Sequence, residues 1–261
     1  MTWQKLVALL PLLMLPLAPG AVAAQEAPRQ PASPPAQDPH LFGGVEHMAN
    51  DQIPVVDLLH AGKWREAREL AHNQFLVATG YVDQYPGVTA VALALEALAD
   101  AGLGHEAPAR CRWEAAQGLD PKLAKADLSS FGAAGSLLQA PRAQSLPRED
   151  SPHSEAKRPE DLPRLSPGAK MADGDQAPEI ISQAPPEYPL LARQSKQEGK
   201  VVIQAIIERD GNTSYPRVLE HQPLGLDVSA LYAICGWRFK PAILKGKPAR
   251  AFYVLTVNFK L

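Results

Sequence analysis

The chain is poor in groups that do chemistry. Its seven histidines and two cysteines are scattered over 261 residues. No HExxH motif and no paired Cys/His spacing occurs, which argues against the usual zinc geometries. Gly102-Leu103-Gly104 lacks the third glycine and the preceding strand of a dinucleotide loop. Asp173-Gly174-Asp175 is too short for a calcium loop. Asn212-Thr213-Ser214 has the form of a glycosylation acceptor, but it follows Asp210-Gly211, where turn chemistry accounts for it. The basic residues are not interleaved with stacking aromatics, so nothing points to nucleic acid. The chain is therefore expected to be no enzyme, with no catalytic residues, no cofactor and no metal.

A long uninterrupted apolar run is also missing. Leu6 to Ala18 is apolar but is broken by Pro11 and Pro16 and followed by Pro19 and Gly20, which argues against a membrane helix of about 20 residues. Lys5 before this run and Ala21-Val22-Ala23-Ala24 after it give the pattern of a cleaved secretory signal, expected over residues 1–24. No Cys follows the small residues, so nothing supports lipoprotein anchoring. Residues 25–40 read as a Pro-rich disordered segment.

Residues 41–139 are rich in Ala, Leu and Glu and helical in pattern. Gly62-Lys63-Trp64-Arg65-Glu66-Ala67 is echoed by Gly104-His105-Glu106-Ala107-Pro108-Ala109. In the second copy Ala109, Trp113, Ala116 and Pro121 take the small, aromatic, small and proline places of a tetratricopeptide repeat. An all-α, tetratricopeptide-like N-terminal domain is expected: two degenerate repeats, an insertion at Val82 to Thr89, and a sealing helix from Pro121 to Leu138. Residues 140–177, with six prolines and few aromatic or β-branched residues, read as a stiffened linker. In polyproline II form it would reach at most on the order of 120 Å.

Residues 178–261 read as an α+β module. Val201, Ile203, Ala205 and Ile207 alternate along a strand, Asp210-Gly211 signals a hairpin, and Tyr215 to His221 is the returning strand. From Asp227, a plausible N-cap, the spacing of Val228, Leu231, Ile234, Cys235 and Phe239 gives a helix ending near Pro241. Ala251, Tyr253, Leu255, Val257, Phe259 and Leu261 then share one face of a half-buried antiparallel strand. Trp237 and Phe239 are expected to close a small core. Tyr188-Pro189 enters as a stiff strap, readable as a structural lid or as a contact surface.

The order helix, strand, strand, helix, strand, with Tyr188-Pro189, Ala192, Gly199, Val201, Asp210-Gly211, Trp237-Arg238-Phe239-Lys240-Pro241-Ala242, Gly246-Lys247-Pro248 and Val257-Asn258-Phe259, resembles the C-terminal domain of the TonB family. The resemblance implies a three-stranded antiparallel sheet with two helices. It also implies a periplasmic protein, or one anchored in the inner membrane and facing the periplasm. The implied partner is a TonB-dependent outer-membrane receptor, whose TonB box adds to the C-terminal strand. The partner-binding candidates are Glu187, Tyr188, Pro189, Arg250, Thr256 and Asn258. The family's ExbB/ExbD motor is engaged through an anchor helix carrying a His, and no His precedes His40 here. The family's alternating Glu-Pro and Lys-Pro spacer repeats are also absent. An alternative reading is a periplasmic scaffold whose helical repeats bind a second protein.

From Pro178 onward there are 11 Lys and Arg against 7 Asp and Glu, a net of +4, whereas residues 25–139 carry 8 against 14, a net of −6. Screening over about 8 Å favours two solvated surfaces. Cys111 and Cys235 lie in different expected domains, each within a helical stripe. An oxidising compartment would permit pairing, but two free buried thiols are the expectation.

Overall fold

A computed structural model describes residues 53–140, 162–167 and 174–261. The expected signal segment and the Pro-rich stretch after it lie outside the described residues. All described residues fall within one compact unit, Asp38–Leu261.

The first part is helical: α1 (Ile53–His60), α2 (Trp64–Thr79), α3 (Pro86–Gly102), α4 (Glu106–Leu119), short 3-10 turns at Pro121–Lys125 and Ser129–Phe131, and α5 (Gly132–Gln139). The two copies of the repeated motif take equivalent places. Gly62 and Gly104 both adopt left-handed φ, 70° and 80°, and each leads into the next helix, α2 or α4. Ala67, Ala71, Ala109 and Ala116 are buried with Trp113, so small residues let the helices approach and the ring fills the space beyond. Trp64 packs over Gly102, where a Cβ would lie 2.2 Å from the indole. The expected insertion at Val82 to Thr89 is only a turn, because Pro86 opens α3 and Thr89 belongs to it. The expected sealing helix is broken into two 3-10 turns and α5. The Asp120 and Asp127 carboxylates accept the backbone N–H of Lys122 and Ser129, 3.0 and 2.9 Å away, and such local bonds compete with a continuous helix.

The second part contains β1 (Arg164–Leu165), β2 (Glu179–Ser182), α6 (Leu190–Gln194), β3 (Gly199–Ile207), β4 (Thr213–Glu220), α7 (Leu226–Ile234), β5 (Arg238–Lys240), β6 (Ala242–Leu244), β7 (Lys247–Ala249) and β8 (Ala251–Phe259). The main sheet runs β1-β8-β3-β4. β3 lies at its centre, antiparallel to β4 and to β8, and pairs with all nine residues of β8 from Gly199↔Phe259 to Ile207↔Ala251. The expected three antiparallel strands are thus present. A fourth, β1, is added parallel to β8, and β2–β5 and β6–β7 form separate two-stranded ribbons. Val201, Ile203, Ala205, Ile207, Tyr253, Leu255, Val257 and Phe259 turn inward against α7, Trp237 and Phe239. Gly211 at the hairpin has φ 78°, and a Cβ there would lie 1.9 Å from the Phe239 oxygen, so only glycine lets the turn dock on β5.

Three local expectations are corrected. α7 ends at Ile234 rather than near Pro241, and Phe239 belongs to β5. Gly225, with φ 79°, is the residue that precedes α7. Asp227 lies in its first turn, accepting the Gln222 N–H at 2.6 Å and contacting His221 at 2.5 Å. Buried alternation ends at Phe259, and Leu261 is exposed.

Candidate partner-binding edge

The two parts are packed and covalently joined. Cys111 of α4 and Cys235 after α7 form a disulfide with a Cα–Cα distance of 5.4 Å. The expected free thiols are therefore corrected: the packing of α4 against α7 brings two stripes, read separately from sequence, onto one another. Residues 162–167 likewise do not behave as a free spacer, because Arg164 and Leu165 join the sheet.

The junction is polar at its centre. Glu96 and Asp100 are 0% and 1% exposed on α3, one turn apart in an otherwise Ala/Leu-rich helix. Buried carboxylates require partners, and these are supplied from both sides. Arg68 donates to Asp100 at 2.7 Å, and Arg112 also pairs with Asp100. Tyr232 of α7 donates its hydroxyl to Glu96 at 2.6 Å. Its ring stacks on Phe75 at 4.9 Å, and the Arg112 guanidinium lies over it at 4.4 Å from the centre. Burial, and next the neighbouring Glu96, push the Tyr232 hydroxyl well above its ordinary pKa despite Arg112, so it stays a donor.

His72 bridges the parts, with Nδ1 3.2 Å from Glu96 and Nε2 3.0 Å from Glu187. Its hydrogen bond to Glu96, reinforced by both carboxylate charges, raises its pKa against the opposing effect of burial. The opposite net charges do not simply face solvent. Glu114 accepts the Tyr215 N–H at 2.6 Å, and Asp83 accepts the Leu224 N–H at 3.2 Å. Gly225 approaches α2 so closely that a Cβ would lie 2.1 Å from the Thr79 oxygen.

This packing decides which sheet edge is accessible. α4 packs against β4, and β4 is further disrupted by bulged register, by Pro216 and by Tyr215 at φ 46°. Such features protect an edge from further pairing. β8 is different. The Phe252 N–H points away from β3 and donates to the Pro163 oxygen at 2.9 Å. Backbone groups alternate along a strand, so those of Val254, Thr256 and Asn258 face the same way. Among the described residues nothing pairs with β8 on that side beyond Tyr253.

The sequence-predicted site residues are divided by this geometry. Thr256 and Asn258 are exposed on the outer face of β8. Tyr188 meets Phe259 edge-on at 5.5 Å and donates its hydroxyl to the Gln197 oxygen at 2.5 Å. Of its two readings, lid and contact surface, this is the lid's geometry. Pro189 is buried beside it. Glu187 is turned toward α2 by His72 rather than toward β8. Arg250 is held by Glu208, at 2.6 and 2.9 Å. Sequence reading missed Leu162, Arg164 and Leu165, whose signal was two leucines three apart among prolines and charges. Among the described residues no group of His, Cys, Asp and Glu could hold a metal ion, and no helix is long and apolar enough to cross a membrane.

A family profile described as the Gram-negative bacterial TonB protein C-terminal matches residues 184–261. Protein TonB of Vibrio cholerae serotype O1 is 35% identical over 83 residues, 31% of this chain and 34% of that protein. The chain thus spans about a third of the length of this curated relative. A solution NMR structure of the Pseudomonas aeruginosa TonB C-terminal domain is 29% identical, with TM-score 0.29, covering 34% of this chain and 90% of that one. Profile and curated relative converge on the same segment as the motifs: through residues 184–261, this protein carries the C-terminal domain of the TonB family.

Proposed function

We propose that this protein is a TonB-like adaptor of the periplasm. It takes up an extended segment of an outer-membrane receptor on the open side of β8 and so takes part in TonB-dependent transport across the envelope. The observation that carries this reading is the asymmetry of the sheet, with β4 covered and bulged and β8 unpaired on its outer side, among the described residues, from Thr256 onward. Main-chain hydrogen bonds to Thr256 and Asn258 supply affinity, and their exposed side chains supply selectivity. Nothing in this role requires catalysis or a cofactor. A disulfide supports an oxidising compartment, in keeping with export through a cleaved signal.

The helical part is read as degenerate tetratricopeptide-like hairpins. It serves here as a rigid brace rather than as the principal partner-binding surface, because α4 packs on β4 and α7 and the disulfide fixes it there. That packing disfavours the scaffold alternative. Engagement of the ExbB/ExbD motor would need an anchor upstream of the described residues.

Thr256→Pro deletes one outward N–H donor, whereas Thr256→Ala keeps it. The proline variant should abolish capture of a receptor TonB-box peptide, and the alanine variant should weaken it only a few-fold. Amide exchange controls for folding. A folded proline variant that binds as well as wild type refutes strand addition at this edge.

A further inference from the structure

The open side of β8 already holds one short strand, and it comes from this chain. Leu162 is 8% exposed and Leu165 packs against the core of the C-terminal domain. Between them the Arg164 guanidinium lies 5.9 Å from the centre of the Phe252 ring. The registers are Arg164↔Phe252 and Leu165↔Tyr253, parallel, and the Phe252 N–H donates to Pro163. Pro163 has no N–H to contribute, and Pro167 stands two residues beyond the strand. The ladder is therefore two residues long, while the outward groups of β8 continue to Asn258.

We propose that Leu162–Leu165 is a built-in ligand of the recognition edge. It occupies the first positions of β8 in the manner of a receptor segment, and an incoming extended peptide gains the full edge only by displacing it. This rests on the strand-addition reading above and adds what that reading leaves out, namely an intramolecular competitor and the chemistry it displays. The edge takes a parallel segment with two leucines at i and i+3, which pack at the margin of the core, and a cation over Phe252. Tethering gives the built-in strand an effective concentration on the order of millimolar. Its short ladder keeps it displaceable.

The test uses the full disulfide-bonded chain and two fluorescein-labelled peptides. One covers residues 160–169 of this protein and the other is a receptor TonB-box peptide. In Leu162→Glu/Leu165→Glu the built-in strand is disabled, and both peptides should bind at least about fivefold more tightly than to wild type. Leu165→Pro, which removes a ladder N–H without burying a charge, should give the same gain and serves if the double variant melts early. Equal affinities for the 160–169 peptide in wild type and variants, or no binding to any of them, would overturn the proposal. If that peptide shows the gain while the receptor peptide binds none of the chains, the built-in ligand stands and the receptor reading falls. Receptor-peptide affinity unchanged by either substitution would instead leave strand addition in place and remove the competitor.

Discussion

Breaking the Cys111–Cys235 bond is the sharpest test of the packed arrangement. The bond links positions 124 residues apart. For a closed loop of that length the chain-entropy relation gives a loss of about 16 cal/mol/K in the unfolded state, or about 5 kcal/mol at 25 °C. Residual structure in the unfolded chain lowers this, so about 3 to 5 kcal/mol is expected. Both cysteines are buried, so reduction changes little else in the native contacts. Guanidinium unfolding followed by tryptophan fluorescence, with and without reductant, measures the difference. Trp64 and Trp113 report on the helical part and Trp237 on the sheet. The oxidised chain should unfold in one transition. Thiol titration in denaturant should find no free thiol before reduction and two after it. Two free thiols in the unreduced protein, or a reductant effect below about 1 kcal/mol, would refute the covalent junction.

Trp113→Ala should cost about 3 to 5 kcal/mol as a large-to-small core change. Because α4 packs on β4 and α7, thermal melting should show the whole molecule shifting together. A sheet transition left in place would contradict the packing. His72 carries a raised pKa between two carboxylates, so its stabilisation is full below the unfolded value of about 6.5 and is lost as pH rises through the raised folded value. Unfolding free energy should fall across that window in wild type, and the slope should vanish in His72→Gln. Gly225 and Gly104 share nearly the same φ, but only Gly225 faces backbone, the Thr79 oxygen. Gly104→Ala should therefore cost about 1 to 2 kcal/mol from φ alone, and Gly225→Ala distinctly more by denaturant unfolding.

The C-terminal fold was legible in sequence because its signals are local. Period-two alternation in β3 and β8 comes from the pleat itself, and Asp210-Gly211 marks a hairpin for steric reasons that hold in any context. The helix entries after Gly62 and Gly104 were readable for the same reason. Burial of Trp237 and Phe239 also followed from residue type. By contrast, the partners of Cys111, Glu96 and Glu187 lie 124, 136 and 115 positions away, at Cys235, Tyr232 and His72. No local period encodes such pairs. Two stripes that each looked satisfied within their own domain are joined only when α4 meets α7. The same holds for the edge: the sequence determined that a half-buried strand ends this chain. Only the tertiary structure decided that the helical part covers β4, that Leu162–Leu165 lies on the start of β8, and that the rest of that side of β8 has no neighbour among the described residues, because strand neighbours are set by packing and not by adjacency along the chain.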